Sequence, residues 1–320
     1  DPRCRGAGVR GRGACSRTEP CGSRLEQGSL VNLRRAGTVE GPSALGRADV
    51  LALLASNGLR PKRALGQNFL CDPNTARRIA RLAGIEPGAA VVEVGAGLGS
   101  LTLALAATGG RVTALEVDPS LVPVLRHVVA PAGVEVIEGD ALHVEWPALL
   151  SGARRWTLVA NLPYNVATPT VLRVLDLAPS VARLLVMVQR EVGERLAAGV
   201  GDPAYGAVSV KVAYFGEADV VGRVPASVFV PRPRVESVLV RIDRRAAPAV
   251  DPRRIGAEPL FDVVRAGFAQ RRKMLRRSLS GMLTPSELAA AGISPTSRAE
   301  DLDVADWGRL AAARASRRTG

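Results

Sequence analysis

Four consecutive residues, Asn161-Leu162-Pro163-Tyr164, bring together a side-chain amide, backbone carbonyls and an aromatic ring. That set suits an exocyclic adenine amine, a poor nucleophile because its lone pair is delocalised into the ring. An acceptor on the Asn161 side chain, and a second from the Leu162 or Pro163 carbonyl, would hold its two N–H groups and turn the lone pair toward a methyl donor. Tyr164 would stack on the base, a contact of about 1–3 kcal/mol in single-strand recognition. Pro163 fixes its own φ and pre-sets the loop. No strong general base is required, since the amine becomes acidic once it has attacked; alignment and electrostatics are the main catalytic terms. A strand-ending turn with a core tyrosine is the plainer alternative, and a donor site close by would decide between them.

Such a donor site stands upstream. VVEVGAGLGSLT (91–102) places Gly95, Gly97 and Gly99 between an apolar strand and a helix, where the backbone must turn sharply and approach a ligand. A dinucleotide loop would want its third glycine at position 100, which is Ser100. Glu93, inside the strand, is a poor neighbour for a pyrophosphate. The next strand ends at Glu116, whose carboxylate can accept from both hydroxyls of a ribose. The one after ends in Gly139-Asp140, placed to read an adenine edge. Ribose and adenine without phosphate contacts point to S-adenosylmethionine rather than NAD or ATP. Any one carboxylate could merely cap a helix, as Asp118 before Pro119 could, but the three strand ends together favour a ligand.

The elements that must position these groups alternate in type. Strands are predicted at 90–94, 111–117, 134–139, 156–161 and 183–189, with helical runs SLTLALAAT, PSLVPVLRHVV and TVLRVLDLA between them. That alternation predicts an α/β fold, a doubly wound and mostly parallel sheet covered by helices on both faces. AVSVKVAYF (207–215) and SVLVRID (237–243) are predicted as an antiparallel pair at one edge. Before the first strand, helices are expected over 48–59, stopping at Asn57-Gly58, and from Asp72-Pro73 to Gly84. A Pro/Arg-rich linker at 244–254 separates a methyltransferase domain (44–245) from a small C-terminal helical domain (246–320). Residues 1–43 are rich in Arg and Gly without apolar periodicity and read as a disordered extension.

Composition narrows the chemistry further. Among 320 residues, two histidines and four cysteines without CxxC spacing leave little for metal or histidine catalysis, and no metal site is expected. A formal charge of +13 favours a polyanionic partner. No apolar run is long enough for a membrane span, and a secretory signal is not evident, so a cytoplasmic protein is expected. Fourteen basic residues against five acidic ones lie between Arg223 and Arg277. Within them, QRRKMLRR reads as a helix with a broad basic face. Arg232, Arg234, Arg271, Arg272, Lys273 and Arg276 are the candidate phosphate contacts, with Lys62 and Arg63 extending the footprint. His127 and His143 are expected to be surface residues without a catalytic part.

Several rare blocks occur in a fixed order: LGQNFL (65–70), EVGAGLGSLT (93–102), LEVD (115–118), GDAL (139–142), NLPYNVATP (161–169), MVQREVGERL (187–196), VFVPRPRVES (228–237) and FAQRRKMLRRSL (268–279). On these, over about residues 50–310, the chain resembles the ribosomal RNA adenine N6-dimethyltransferases, and within them the small-subunit branch. The resemblance implies a class I methyltransferase (Rossmann-like) fold and S-adenosylmethionine as donor. The implied substrate is two adjacent adenosines in the loop of the 3′-terminal helix of 16S rRNA, each methylated twice within an immature 30S subunit; a monomer is expected. It also implies that Asn68 and Leu70 border the methionine end of the cofactor, that Asn161 completes that pocket, and that Tyr164 and Phe229 sandwich the target base. The related 23S adenine dimethyltransferases, and a non-catalytic ribosome-assembly factor that keeps the fold, are the alternatives.

Overall fold

The computed structural model describes residues 44–163 and 165–319, with side chains through 317. The Arg/Gly-rich extension and the expected stacking ring of Tyr164 therefore lie outside the described residues.

Local signals set the first elements. α1 (Arg47–Ser56) ends at Asn57, before left-handed Gly58. A short strand, β1 (Phe69–Leu70), follows. α2 (Pro73–Ala83) starts where the Asp72 carboxylate accepts from the Thr75 amide, and stops at Gly84, which is left-handed. Strands and helices then alternate: β2 (Ala90–Val94), α3 (Ser100–Ala106), β3 (Arg111–Glu116), α4 (Val122–Val129), β4 (Glu135–Glu138), α5 (Trp146–Leu149), β5 (Trp156–Asn161), α6 (Ala167–Leu177), β6 (Val181–Gln189) and α7 (Arg190–Ala197). After α8 (Ala207–Phe215) come β7 (Gly216–Val224), β8 (Phe229–Val230) and β9 (Ser237–Arg244). The remainder is helical: α9 (Ala257–Ala269), α10 (Leu275–Ser278), α11 (Pro285–Ala290) and α12 (Val304–Thr319).

Seven strands form one sheet in the order β4-β3-β2-β5-β6-β9-β7, parallel through β6, with β9 antiparallel to both its neighbours. The strand alternation sends Val92, Val94, Leu158 and Ala160 into one core, with α6 residues Val171 and Val174. Val91 and Val159 enter a second core with Ile79 of α2 and Leu105 of α3. Both faces are therefore covered, as the near-continuous apolar strands require. The chain winds from β2 to β3 on one side and reaches β5 on the other, so the carboxyl ends of these strands open onto a crevice at the switch point. β1 and β8 form a separate antiparallel pair, Phe69 opposite Val230 and Leu70 opposite Phe229.

Two expectations are corrected. Residues 207–215 form α8 rather than a strand, and the antiparallel edge is built by β7, immediately after it, pairing with β9. α8 is buried on two sides: Val212 belongs to the sheet core, and Val210 and Tyr214 to the core of the helical region. A helix buried on two faces shows no one-sided stripe, so only its β-branched composition remained to be read. The basic cluster is likewise not one helix. α9 ends at Ala269, and the amides of Leu275 and Arg276 donate to the Ser297 and Pro295 carbonyls instead of continuing a helical ladder. Residues 271–273 therefore sit in a loop. The helical core built on Leu260, Phe261, Leu275 and Trp307 takes in Tyr205, Val210 and Tyr214, so residues before the linker contribute to it.

Arg244, counted above with the basic excess, is internal. Its guanidinium donates to the carbonyls of Val174, Leu175 and Ala178 at the end of α6 and to that of Val181 at the start of β6. The Leu175 carbonyl has no helical donor of its own, because the residue four positions on is Pro179, while those of Val174 and Ala178 also accept from the Ala178 and Val181 amides. Replacing Arg244 with Met should cost about 2–4 kcal/mol, since partly buried carbonyls lose charge-assisted bonds. Urea denaturation of the two proteins measures it.

Candidate active site

The glycine loop after β2 holds its shape through left-handed backbone at Gly95, Gly97 and Gly99, with φ of 74°, 60° and 89°. A Cβ on Gly99 would stand 2.9 Å from a Val129 methyl, and one on Gly97 would stand 3.2 Å from the Phe69 ring. The glycines thus permit both the turn and the approach of β1 and α4.

Glu116, at the end of β3, is buried and locks this loop. One carboxylate oxygen accepts from the Gly97 amide at 2.7 Å and the other from the Asp118 amide at 2.9 Å. Burial raises its pKa and these amide donors oppose the rise. A carboxylate has lone pairs for further donors, so both oxygens remain able to accept hydroxyls. Asp140, beyond β4, is half exposed; it accepts from the Leu142 amide at 2.8 Å and meets His143 Nδ1 at 2.9 Å. His143 is itself exposed, and its contact with Asp140 makes it a neighbour of the site.

At the end of β5, Asn161 Nδ2 donates to the Asn68 carbonyl at 3.2 Å, and Asn68 Nδ2 donates to the Gly66 carbonyl at 2.9 Å. One N–H of the Asn161 amide is engaged by the protein, which orients the group, and no donor among the described residues reaches its oxygen. The Pro163 carbonyl accepts from the Val166 and Ala167 amides at the start of α6, whereas the Leu162 carbonyl has no partner among the described residues. Of the two carbonyls left open by the sequence, Leu162 is the free acceptor. Gly66, also left-handed, lets the 65–68 loop close on this motif: a Cβ there would lie 2.8 Å from Pro163 Cβ.

One cleft gathers these groups. Asn68, Leu70, Gly95, Gly97, Glu116, Asp140 and Asn161 all line it, as do Leu162, Pro163 and Phe229. Apart from Tyr164, which lies outside the described residues, the cofactor set and the base set expected from sequence therefore share a single cavity. The candidate phosphate contacts lie outside it. Arg232 and Arg234 are exposed on either side of Pro233, which lines the cleft. Arg272, Lys273 and Arg276 are exposed, but Arg271 is committed to Glu300 at 2.9 Å and to the Pro203 carbonyl at 2.8 Å. Lys62 is likewise engaged, with Asp118 at 2.7 Å. Sequence reasoning passed over Glu93, which it read only as unsuited to a pyrophosphate, and the structure makes it a wall of the cleft. An acid in the middle of an otherwise apolar buried strand was the available signal.

A family model described as ribosomal RNA adenine dimethylase matches residues 58–315. The ribosomal RNA small subunit methyltransferase A of Thermobifida fusca is 49% identical over 275 residues, 82% of this chain and 94% of that protein. Its counterpart in Acidothermus cellulolyticus is 45% identical over 284 residues, 84% of this chain and 94% of that protein. Among solved structures, a dimethyladenosine transferase from Plasmodium falciparum superposes with a TM-score of 0.65 at 23% identity, covering 76% of this chain and 95% of that one, and shares the fold. The 23S rRNA methyltransferase ErmE superposes at 0.62 with 27% identity, covering 77% and 99%. With the class I architecture, the glycine loop and the NLPY motif at one crevice, and with relatives this similar over nearly their whole length, the chain belongs to the ribosomal RNA adenine dimethylase family.

Proposed function

We propose that this protein dimethylates N6 of two adjacent adenosines in the loop of the 3′-terminal helix of 16S rRNA, with S-adenosylmethionine as donor and an immature 30S subunit as substrate. The observation that carries the reading is the Asn161 amide: its donor end is held by the Asn68 carbonyl, which leaves its oxygen for an amine, at the mouth of an acidic cleft.

The cleft fits a cationic, phosphate-free ligand. Glu93, Glu116 and Asp140 line it. Glu93 is 1% exposed, and its Oε2 has no hydrogen-bond partner among the described residues. Burial, with a contribution from the nearby Glu116 charge, pushes its carboxyl up to about 8. Bound S-adenosylmethionine supplies an electrophilic methyl on a positively charged sulfur, and the Glu116 and Asp140 carboxylates answer that charge. Asn68 and Leu70 would border its methionine end, the Gly95–Gly97 loop would approach it, Glu116 would hold the ribose and Asp140 the adenine.

On the substrate side, Asn161 Oδ1 and the Leu162 carbonyl would accept the two N–H groups of the adenine amine. Two fixed acceptors localise the lone pair and align it, and their dipoles meet the positive charge that develops on nitrogen. Tyr164 and the buried Phe229 would enclose the ring, and Pro163 holds the loop rigid. Extruding a base costs least from a loop, which suits the proposed target. Arg232, Arg234, Arg272, Lys273 and Arg276 would grip phosphates, with residues 44–245 serving as the methyltransferase domain and 246–320 as the helical RNA-binding part. Arg271 would support that loop through Glu300. The names of the 45–49% identical relatives support the small subunit over the 23S target. A cytoplasmic monomer suits this role; among the described residues no helix is long and apolar enough to cross a membrane.

Transfer of labelled methyl to immature 30S particles lacking the modification tests the assignment; label appearing only on 23S RNA would overturn it. Asn161→Ala should lower that transfer by about a hundredfold or more, the scale of losing one oriented electrostatic contact to a reacting group. Glu116→Ala should weaken S-adenosylmethionine binding in calorimetry while RNA affinity stays within about twofold, because exposed basic residues, not this carboxylate, hold the phosphates. Glu93→Gln gives a pH signature in the cofactor-free protein. Between the ordinary carboxyl range and about 8, the unfolded chain has lost a proton that folded Glu93 keeps, so wild-type stability falls as pH rises. The variant should match the wild type near pH 4.5 and become progressively the more stable toward pH 8 in urea titrations.

A further inference from the structure

We infer that Asp118 is a positioning residue: it latches the 62–68 segment across the cleft and, through that segment, sets the Asn161 amide for the base. The inference rests on the reading of the cleft given above.

The Asp118 side chain is 1% exposed and its two oxygens receive four donors. Oδ1 accepts from Lys62 Nζ at 2.7 Å, from the Ser120 amide at 3.0 Å and from Ser120 Oγ at 2.6 Å. Oδ2 accepts from Gln67 Nε2 at 2.7 Å. The Ser120 contacts are an ordinary local turn at a helix start. The Lys62 and Gln67 contacts are not local, since they join positions 56 and 51 residues apart. Gln67 also accepts from the Lys62 amide at 2.8 Å, so the strap is closed on itself before it reaches Asp118. Burial raises the Asp118 carboxyl, and the donors from Lys62, Ser120 and Gln67 outweigh it, holding it at about 2.

From this anchor a continuous set of bonds crosses the cleft. Gln67 is followed by Asn68, whose carbonyl receives Asn161 Nδ2, while Gly66 lies against Pro163. On the other side, Glu116 binds both the glycine loop and the Asp118 amide. The end of β3 therefore fixes the cofactor loop with one carboxylate and the strap with another. If the strap is released, the Asn68 carbonyl loses its fixed place, and the Asn161 amide can rotate its donor end toward an amine that needs an acceptor.

Asp118→Asn, which keeps the shape but loses the charge, and Lys62→Met, at a side chain 47% exposed, test the latch at its two ends. Both should lower kcat for methyl transfer to 30S particles about 10- to 100-fold, with KM for the particles unchanged, as expected when reacting groups are misplaced rather than unbound. Lys62→Arg should restore most of the rate, and the double variant should be no worse than either single one. Independently of the reaction, amide exchange across 62–68 should quicken at least about tenfold in Asp118→Asn while β2 and β5 keep their protection. Unchanged exchange, or faster exchange with an unchanged kcat, overturns the latch. Losses that only follow a falling folded fraction, read from melting curves, overturn it too. A wild-type protein that transfers no methyl to 30S particles sinks the functional reading instead, and the exchange result still decides the latch.

Discussion

Strands β3 and β5 flank β2 on opposite sides, and this divergence forces the chain to leave a crevice where their carboxyl ends part. Into that crevice β2 delivers Glu93 and the glycine loop, β3 delivers Glu116, and β5 delivers Asn161. The contributions of the three strands lie well apart in sequence. Each owes its position to a strand whose register is held by burial on both faces, because a slip of one residue would turn every apolar side chain out of its core. The cleft is thus as rigid as the sheet beneath it, and the loops need only close its upper side.

Closure comes from the segment ahead of the sheet. The 62–70 strap pairs with β8 through Phe69 and Leu70, is pinned at Asp118, and meets the NLPY motif through Asn68 and Gly66. It brings Phe229, on β8, to the same wall. The glycine loop and the NLPY motif are then joined by bonds rather than merely by neighbourhood. For a reaction whose catalysis is largely alignment, that sharing matters more than any single strong acid or base.

Charge is segregated. A chain of net charge +13 places three carboxyls in its cleft and leaves arginines and a lysine around and beyond the rim. Much of the basic excess in 223–277 nevertheless serves the fold. Arg244 closes the end of α6, Arg241 and Arg245 pair with acids on β9 and β7, Arg265 pairs within α9, and Arg271 holds Glu300. What is left for a polyanion is a smaller set on exposed loops, on which a long-range attraction still acts.

Sequence by itself determined the alternation of the five parallel strands, the stop of α1 and both ends of α2, the glycine loop, and the identity of the acids and the amide at strand ends. These are legible because strand burial, left-handed turns and strand termini leave marks within a few residues. It also carried the family resemblance on its blocks. It misread α8, because two-sided burial erases a helical stripe, and it misread 270–275, because the Leu275 and Arg276 amides bond to the Ser297 and Pro295 carbonyls, 22 and 19 residues away. Only the tertiary structure decided that the Leu162 carbonyl is free while that of Pro163 is taken, that Lys62 and Arg271 serve the protein's own carboxylates, and that Asp118 reaches the strap. Those choices depend on which donors arrive from distant parts of the chain, and a local pattern holds no record of them.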